Sequence, residues 1–310
     1  MTQKQMNTQI CIPTLNAAGV WNDLASSVKQ QDCRIDAVLI IDSESDDETA
    51  RLAQVAGFRV RSIHRCEFDH GRTRQMATKM LTDADILVFL TQDVILTGPQ
   101  VISNLTAAFN DPRVAIAYGR QLPRRRAGSI EAHARLFNYP ATSEVREFHD
   151  KERLGFKTIF VSNSFAAYRR AALIEVGGFP DSTIFGEDTI TAARLLIAGY
   201  KIAYVADATV YHSHAQSWTQ EFKRYFDIGV LHSREHWLLQ SFGGAGGAGV
   251  RFLVSELKYL WHEDKRKVPD AVVRTALKYA GYRLGRMERA LSRRVKRRLS
   301  MNGRYWLKPQ

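Results

Sequence analysis

Over the first 215 residues, short apolar runs of strand length alternate with segments of helical periodicity, and few folds accept that order. Strands are predicted at Ile10-Cys11-Ile12, ended by Pro13, and over residues 37–41, 58–63 and 86–90. Helices are predicted between them, over 18–30, 48–56 and 72–81. Strands and helices in strict alternation imply an α/β protein with a doubly wound, mostly parallel sheet and helices on both faces. Further strands are expected over 114–118, 158–162, 201–205 and 209–211, with an amphipathic helix over 189–198. From Thr219 the pattern becomes helical and aromatic, with a glycine-rich break at 243–247. The organisation read from this is a sheet-bearing unit over residues 1–215 and a helical extension over 216–310.

Open parallel sheets bind ligands beyond the carboxyl ends of their strands. Four polar clusters stand there: Pro13-Thr14-Leu15-Asn16, then Asp42 to Asp46, Phe68 to Arg74, and Thr91-Gln92-Asp93. No GxGxxG follows the first strand and no GxxxxGK[ST] occurs, which removes the main support for a dinucleotide dehydrogenase or a P-loop nucleotidase. Asp93, just past a buried strand, suits a hard divalent cation that bridges to phosphates. His212 and His214 flank Ser213 after a strand-like run, so both imidazoles project to one side and either could ligate the same ion. Glu187-Asp188 opens a helix and offers a general base within reach of a hydroxyl nucleophile. Asp42, with Ser45 beyond it, can accept from a base N–H or a ribose hydroxyl, while Arg72 and Arg74 can offset diphosphate charge. Each of these also has a plain structural reading as a helix cap, a strand-end histidine or a solvated arginine. Their order along one chain is what favours a site.

The chain carries 44 Lys+Arg against 32 Asp+Glu, a formal net charge of +12, which first suggests nucleic acid. From His262 to Gln310, however, lie 15 basic and 4 acidic residues, so that segment carries +11 and the preceding 261 residues only +1. Basic residues there alternate with Leu, Val and Tyr in a helix expected from Pro269 through Leu299, and Val250, Leu253, Val254, Leu257, Leu260 and Trp261 share one helical stripe. Such a face suits an anionic bilayer surface. Cys11, Cys33 and Cys66 form no paired framework and read as reduced thiols, with Cys11 in the core. No apolar stretch approaches the roughly 20 residues needed to span a bilayer, and no signal-peptide pattern opens the chain. A soluble or peripherally bound protein is expected.

The ordered motifs resemble glycosyltransferase family 2, inverting enzymes with the GT-A nucleotide-sugar fold. The residues that carry the resemblance are Ile12-Pro13-Thr14-Leu15-Asn16, Ile41 to Thr49, Gly177-Gly178-Phe179-Pro180 and Gly186-Glu187-Asp188. Thr91-Gln92-Asp93 sits where the family has its metal-binding DxD, with Asp93 the one carboxylate of the three. Within the family the chain is similar to bacterial O-antigen rhamnosyltransferases, through Phe68 to Arg74, Gly119-Arg120-Gln121-Leu122-Pro123, Ser162 to Arg170, His212-Ser213-His214 and Arg224 to Val230.

That resemblance implies a dTDP-L-rhamnose donor, a divalent cation (Mg2+ or Mn2+), an undecaprenyl-diphosphate-linked saccharide acceptor, and work at the cytosolic face of the bacterial inner membrane. Asp188 would be the base, with Glu187 the second candidate. Pro13, Thr14, Asn16, Asp42, Ser45, Arg72, Arg74 and Gln92 would bind the donor, and Arg120, Asn163 and Trp218 the acceptor. Asp93 with His212 or His214 would hold the metal. The competing readings are a family 2 enzyme with another nucleotide sugar, a sugar-1-phosphate nucleotidyltransferase and a nucleic-acid-binding protein. The nucleotidyltransferase would need a Gly-rich basic loop after the first strand, and the nucleic-acid reading lacks any recognisable motif in the tail.

Overall fold

The computed structural model describes residues 6–244 and 247–307. Ala245 and Gly246 of the expected glycine-rich break, and Lys308 of the basic tail, lie outside them. The first half follows the expected order: β1 (Thr8–Thr14), helix Trp21–Lys29, β2 (Ala37–Asp42), helix Thr49–Val55, β3 (Arg59–Ser62), helix His70–Met80 and β4 (Ile86–Leu90). These strands lie in the order β3-β2-β1-β4, all parallel. Successive strand residues point to opposite faces, and both faces are covered by helices. Ile10, Ile12, Ile40, Val88 and Leu90 therefore enter one buried layer with Trp21 and Leu24. Cys11, Leu39, Ile41, Leu87 and Phe89 enter the other with Leu81, Phe179 and Leu195.

Pro13 does not end its strand but sits inside β1, opposite Ile41. Pairing of β1 with β4 stops at Cys11–Phe89, so no ladder partner asks Pro13 for the N–H it lacks.

The second half makes the sheet mixed. β5 (Ile95–Leu96), β6 (Val114–Leu122), β7 (Glu144–Arg146), β8 (Phe165–Arg169) and β9 (Lys201–Tyr211) complete it. β8 runs antiparallel between β4 and β6, β6 and β9 are parallel, and β5 and β7 add antiparallel to β9. The strand expected over 158–162 is instead partly a 3-10 turn, Gly155–Ile159, in which Thr158 Oγ1 donates to the Gly155 carbonyl at 2.7 Å. The fully buried Phe165-Ala166-Ala167-Tyr168 run takes the place in the sheet. The two strands expected over 201–205 and 209–211 are one, with a register shift: Gly119 faces Val205 and Arg120 faces Thr209.

The C-terminal region is helical, with helices Trp218–Arg234, His236–Phe242, Ala248–Glu263, Val268–Arg286 and Arg293–Leu299. The long basic helix expected through Leu299 breaks after Arg286, and Ser292 caps a new one by accepting from Val295 N–H. The predicted apolar stripe of Ala248–Glu263 is divided, with Leu260 buried and Val250, Val254 and Trp261 exposed. Among the described residues no helix is long and apolar enough to cross a membrane.

Candidate active site

Three groups of side chains meet at the carboxyl ends of the central strands. The first knits the ends of β1, β2 and β4 together. Thr14 and Asp42 are register partners, and Thr14 Oγ1 donates to Asp42 Oδ1 at 3.0 Å. Ser45 Oγ donates to the same oxygen at 2.5 Å, and Ser45 N–H to Oδ2 at 2.9 Å. Asn16, at a left-handed φ of 51°, donates its N–H to Ser45 Oγ and accepts from Asp46 N–H, both at 2.8 Å. Gln92 clamps Leu15, accepting from its N–H at 2.7 Å and donating to its carbonyl at 3.1 Å. Thr14, Asn16, Asp42, Ser45 and Gln92 thus form one rim, with Pro13 in the strand beneath.

The second group is Asp93, His212 and His214. Asp93 Oδ2 lies 2.8 Å from His214 Nε2 and 3.3 Å from His212 Nε2, and the two imidazole nitrogens are 3.1 Å apart. One ligand atom from each residue falls within a 4.8 Å cluster. Burial opposes charge on Asp93; in the state where the two histidines carry protons on Nε2, their hydrogen bonds and charge outweigh it and hold the Asp93 carboxyl well below the usual range. Burial lowers the proton affinity of His212 despite Asp93, favouring the neutral ring that ligates metals. Its Nδ1 is 2.9 Å from Gln121 Oε1, which only accepts, so Nδ1 bears the hydrogen and Nε2 presents a lone pair. A bare nitrogen and a carboxylate oxygen aimed at one point repel unless a cation or proton lies between them. The donor set therefore fits a divalent ion. Arg124 ties the two ligand segments together: its Nη2 donates to the Asp93 carbonyl and its N–H to Ser213 Oγ at 3.1 Å.

The third group is the carboxylate pair at the start of helix Glu187–Ile197. Gly186 precedes it at a φ of 75°, where a side chain is strained. Glu187 is buried and Arg74 Nη1 lies 3.0 Å from its Oε1, to which Asn163 Nδ2 also donates at 3.1 Å. Burial works against its charge, yet Arg74, His70 and Asn163 keep it ionised, with a lowered pKa. Asp188 keeps part of its surface open and accepts from Thr189 N–H at 2.7 Å and Asn163 N–H at 3.3 Å. Burial, then the Glu187 charge, push the Asp188 carboxyl up to about 7. One carboxylate is locked in an ion pair, and its neighbour is reachable and poised to take a proton near neutrality. The Arg74 side depends on a tight contact, since a Cβ on Gly71 would lie 1.8 Å from the Pro180 carbonyl oxygen.

Other sequence candidates sit differently. Arg74, expected on a diphosphate, is 3% exposed and engaged with Glu187, whereas Arg72 is exposed. Asn163, expected to meet an acceptor, is buried between the two carboxylates and accepts from Tyr168 O–H at 2.6 Å. Arg120 donates to the Tyr139 carbonyl at 3.2 Å. Trp218 Nε1 donates to Asp270 Oδ1 at 2.7 Å, which turns it toward the C-terminal helices. Sequence reasoning gave no role to Gln121, Arg124, Arg135 or Ser162. Gln121 and Ser162 fall within motifs that carried the family resemblance, and that was the one signal available for them.

The model of the family described as "Glycosyltransferase like family 2" matches residues 7–226. The O-antigen chain rhamnosyltransferase RfbN of Salmonella typhimurium is 44% identical over 302 residues, 97% of this chain and 96% of that protein. The O-antigen chain rhamnosyltransferase WbaN of Salmonella anatum is 42% identical over 298 residues, 96% of this chain and 95% of that one. Among solved structures, the mannosyltransferase PcManGT of Pyrobaculum calidifontis, in complex with GDP-Man and Mn2+, is similar in fold. Its TM-score is 0.57 at 18% identity, covering 98% of this chain and 86% of that chain. With the family model matching most of the chain and both relatives matching nearly all of it, the protein belongs to glycosyltransferase family 2.

Proposed function

We propose that the protein transfers L-rhamnose from dTDP-L-rhamnose to an undecaprenyl-diphosphate-linked saccharide, inverting the anomeric carbon, within O-antigen synthesis. The names of two near-full-length relatives support the sugar and the setting. The observation that carries the chemistry is a partly open Asp188 carboxylate beside a buried Glu187 that Arg74 holds in an ion pair at 3.0 Å. Asp188 takes the proton of the attacking acceptor hydroxyl, while Glu187, held by Arg74, keeps its charge and raises the basicity of Asp188. With Asp188 as the base and the neighbouring Glu187 occupied by Arg74 and Asn163, one displacement and hence inversion is the reading that fits, by analogy with inverting glycosidases. Asp93, His212 and His214 would hold a divalent ion, Mg2+ or Mn2+, and such an ion would offset charge on the departing diphosphate. Pro13, Thr14, Asn16, Asp42, Ser45 and Gln92 form the nucleoside side of the cleft, with Arg72 toward the diphosphate and Arg120 toward the acceptor. In this reading residues 1–215 are the catalytic unit. A family 2 enzyme with another nucleotide sugar has the same geometry. A panel of nucleotide sugars, scored for diphosphate release with Mg2+ or Mn2+, separates the two. Release dependent on dTDP-L-rhamnose and the metal is expected, and release from another donor alone contradicts the proposal.

The helical C-terminal region holds the enzyme at the cytosolic membrane surface. Its exposed side carries Trp261, Val272, Tyr279, Leu284, Met287 and Val295 among exposed Lys265, Arg266, Arg283, Arg289, Arg294, Arg297 and Arg298. Each basic residue near an anionic bilayer contributes about 1 kcal/mol, so a few suffice for retention. Co-sedimentation with liposomes that contain anionic lipid, and not with neutral liposomes or duplex DNA at physiological salt, is the expected result. Preference for DNA would overturn the membrane role.

A further inference from the structure

Gln121, at the end of β6, is 1% exposed, and every polar atom of its amide is engaged. Its Nε2 donates to Ser162 Oγ at 2.9 Å. Its Oε1 accepts from Arg135 Nη1 at 2.9 Å, and a guanidinium can only donate, so the orientation of the amide is fixed by chemistry. The same oxygen lies 2.9 Å from His212 Nδ1. The imidazole therefore carries its hydrogen on Nδ1, and its Nε2 lone pair points at Asp93 Oδ2. Without an acceptor at that place, the neutral ring would put its hydrogen on Nε2, where it can donate to the Asp93 carboxylate and can no longer bind a cation. The anchor of the amide has a second use. Ser162 adjoins Asn163, whose N–H and side chain hold Asp188 and Glu187. Gln121 thus stands between the histidine of the cation cluster and the segment that carries the carboxylate contacts.

We propose that Gln121 is a positioning residue that selects the metal-binding tautomer of His212, its own amide being oriented by Arg135 and Ser162. The inference rests on the reading of Asp93, His212 and His214 as a divalent-ion site. Removal of such a partner of a ligating histidine typically weakens metal affinity about 10–100-fold.

Mn2+ binding to the full-length protein, followed by the electron paramagnetic signal of the free ion, tests this. Gln121→Leu should bind Mn2+ about 10–100-fold more weakly. Its kcat should be largely restored at saturating Mn2+, while its melting temperature should fall, since Arg135 and Ser162 lose a buried partner. Gln121→Glu, which still accepts from Nδ1 and Arg135, should bind Mn2+ within a few-fold of the parent. Nitrogen NMR of the parent protein without metal should report His212 as the Nδ1–H tautomer, a reading independent of how the variants fold. Equal Mn2+ affinity in Gln121→Leu and the parent, equal losses in both variants, or an Nε2–H tautomer in the parent would each overturn the assignment. A parent protein that binds no Mn2+ instead sinks the ion-site reading and this inference with it.

Discussion

Asp188 and Glu187 are chain neighbours whose proton affinities shift in opposite directions: burial and the Glu187 charge raise that of Asp188, while Arg74, in an ion pair with Glu187, keeps Glu187 low against its burial. Burial beside the Glu187 charge brings Asp188 toward neutrality, as the proposed base role requires. The rate should rise with pH through about 7 and then level, since Asp188 must be ionised to accept a proton. Asp188→Asn should lower kcat about 10²–10⁴-fold, with donor binding by calorimetry unchanged; near-normal turnover would remove Asp188 as the base. The same shift carries a stability consequence. The folded state raises the Asp188 pKa from 3.8 to about 7, so its stabilising contribution is full below 3.8 and lost as pH rises through about 7. At pH 8 Asp188→Asn should therefore melt no lower than the parent protein. Arg74→Ala acts the other way, because it leaves Glu187 buried and unpaired, at a cost of about 3–5 kcal/mol. Urea unfolding measures that loss, and a change below 1 kcal/mol would mean that the pair is not as buried as Arg74 and Glu187 are here.

At the scale of elements, the sequence was most legible where one period ran clean. Most of the first half follows from apolar runs, because both sheet faces are covered and β1, β2 and β4 are buried on both; only the edge strand β3, Arg59–Ser62, is polar and exposed. Legibility failed where two such runs competed. The segments around Thr158–Ser162 and Phe165–Tyr168 are both apolar, and the choice between them depends on partners, β4 and β6, far away in sequence. The helix crossing in the C-terminal region was also hidden, because it depends on glycines inside a basic helix. Gly285 lets helix Val268–Arg286 approach Trp218–Arg234 so closely that an added Cβ would lie 2.1 Å from the Phe226 carbonyl oxygen. Glycine inside a helix normally costs about 0.5–1 kcal/mol relative to alanine, so Gly285→Ala on an open face would stabilise. Here the sign should reverse, with a loss of about 1–3 kcal/mol from overpacking. A higher melting temperature for the variant would show that the helices can part without cost.

At the scale of the molecule, the basic C-terminal region is less separate than its charge suggests. Arg274 and Lys278 pair with Glu221, outside that segment, at 2.9 and 3.0 Å, so part of the +11 is spent inside the fold. Tyr305 and Trp306 are buried with Ile184, Phe226 and Val230, and Ile184 stands two residues before Gly186 at the base-bearing turn. Asn302 Nδ2 donates to the Ile184 carbonyl at 3.3 Å, and Arg304 Nη1 to the Arg65 carbonyl at 2.9 Å, beside the Glu44–Asp46 turn that Arg65 itself binds. None of this was readable from charge and periodicity, because the partners lie far apart in the chain and a basic helix looks alike whether its charges are paired or free. The candidate metal ligands and the candidate base were readable as residue types at strand and helix ends, and the structure brings Asp93, His212 and His214 together. The contacts that Gln121, Arg74 and Asn163 make with these residues were not, since they exist only in the folded chain.

The central claim, a single displacement by a base on a rhamnosyl donor, is tested most directly by NMR of the product. With dTDP-L-rhamnose, a divalent metal and a lipid-linked saccharide acceptor, the account predicts a new rhamnosyl linkage with the anomeric configuration opposite to that of the donor, formed together with dTDP. A product that keeps the donor's configuration would contradict it.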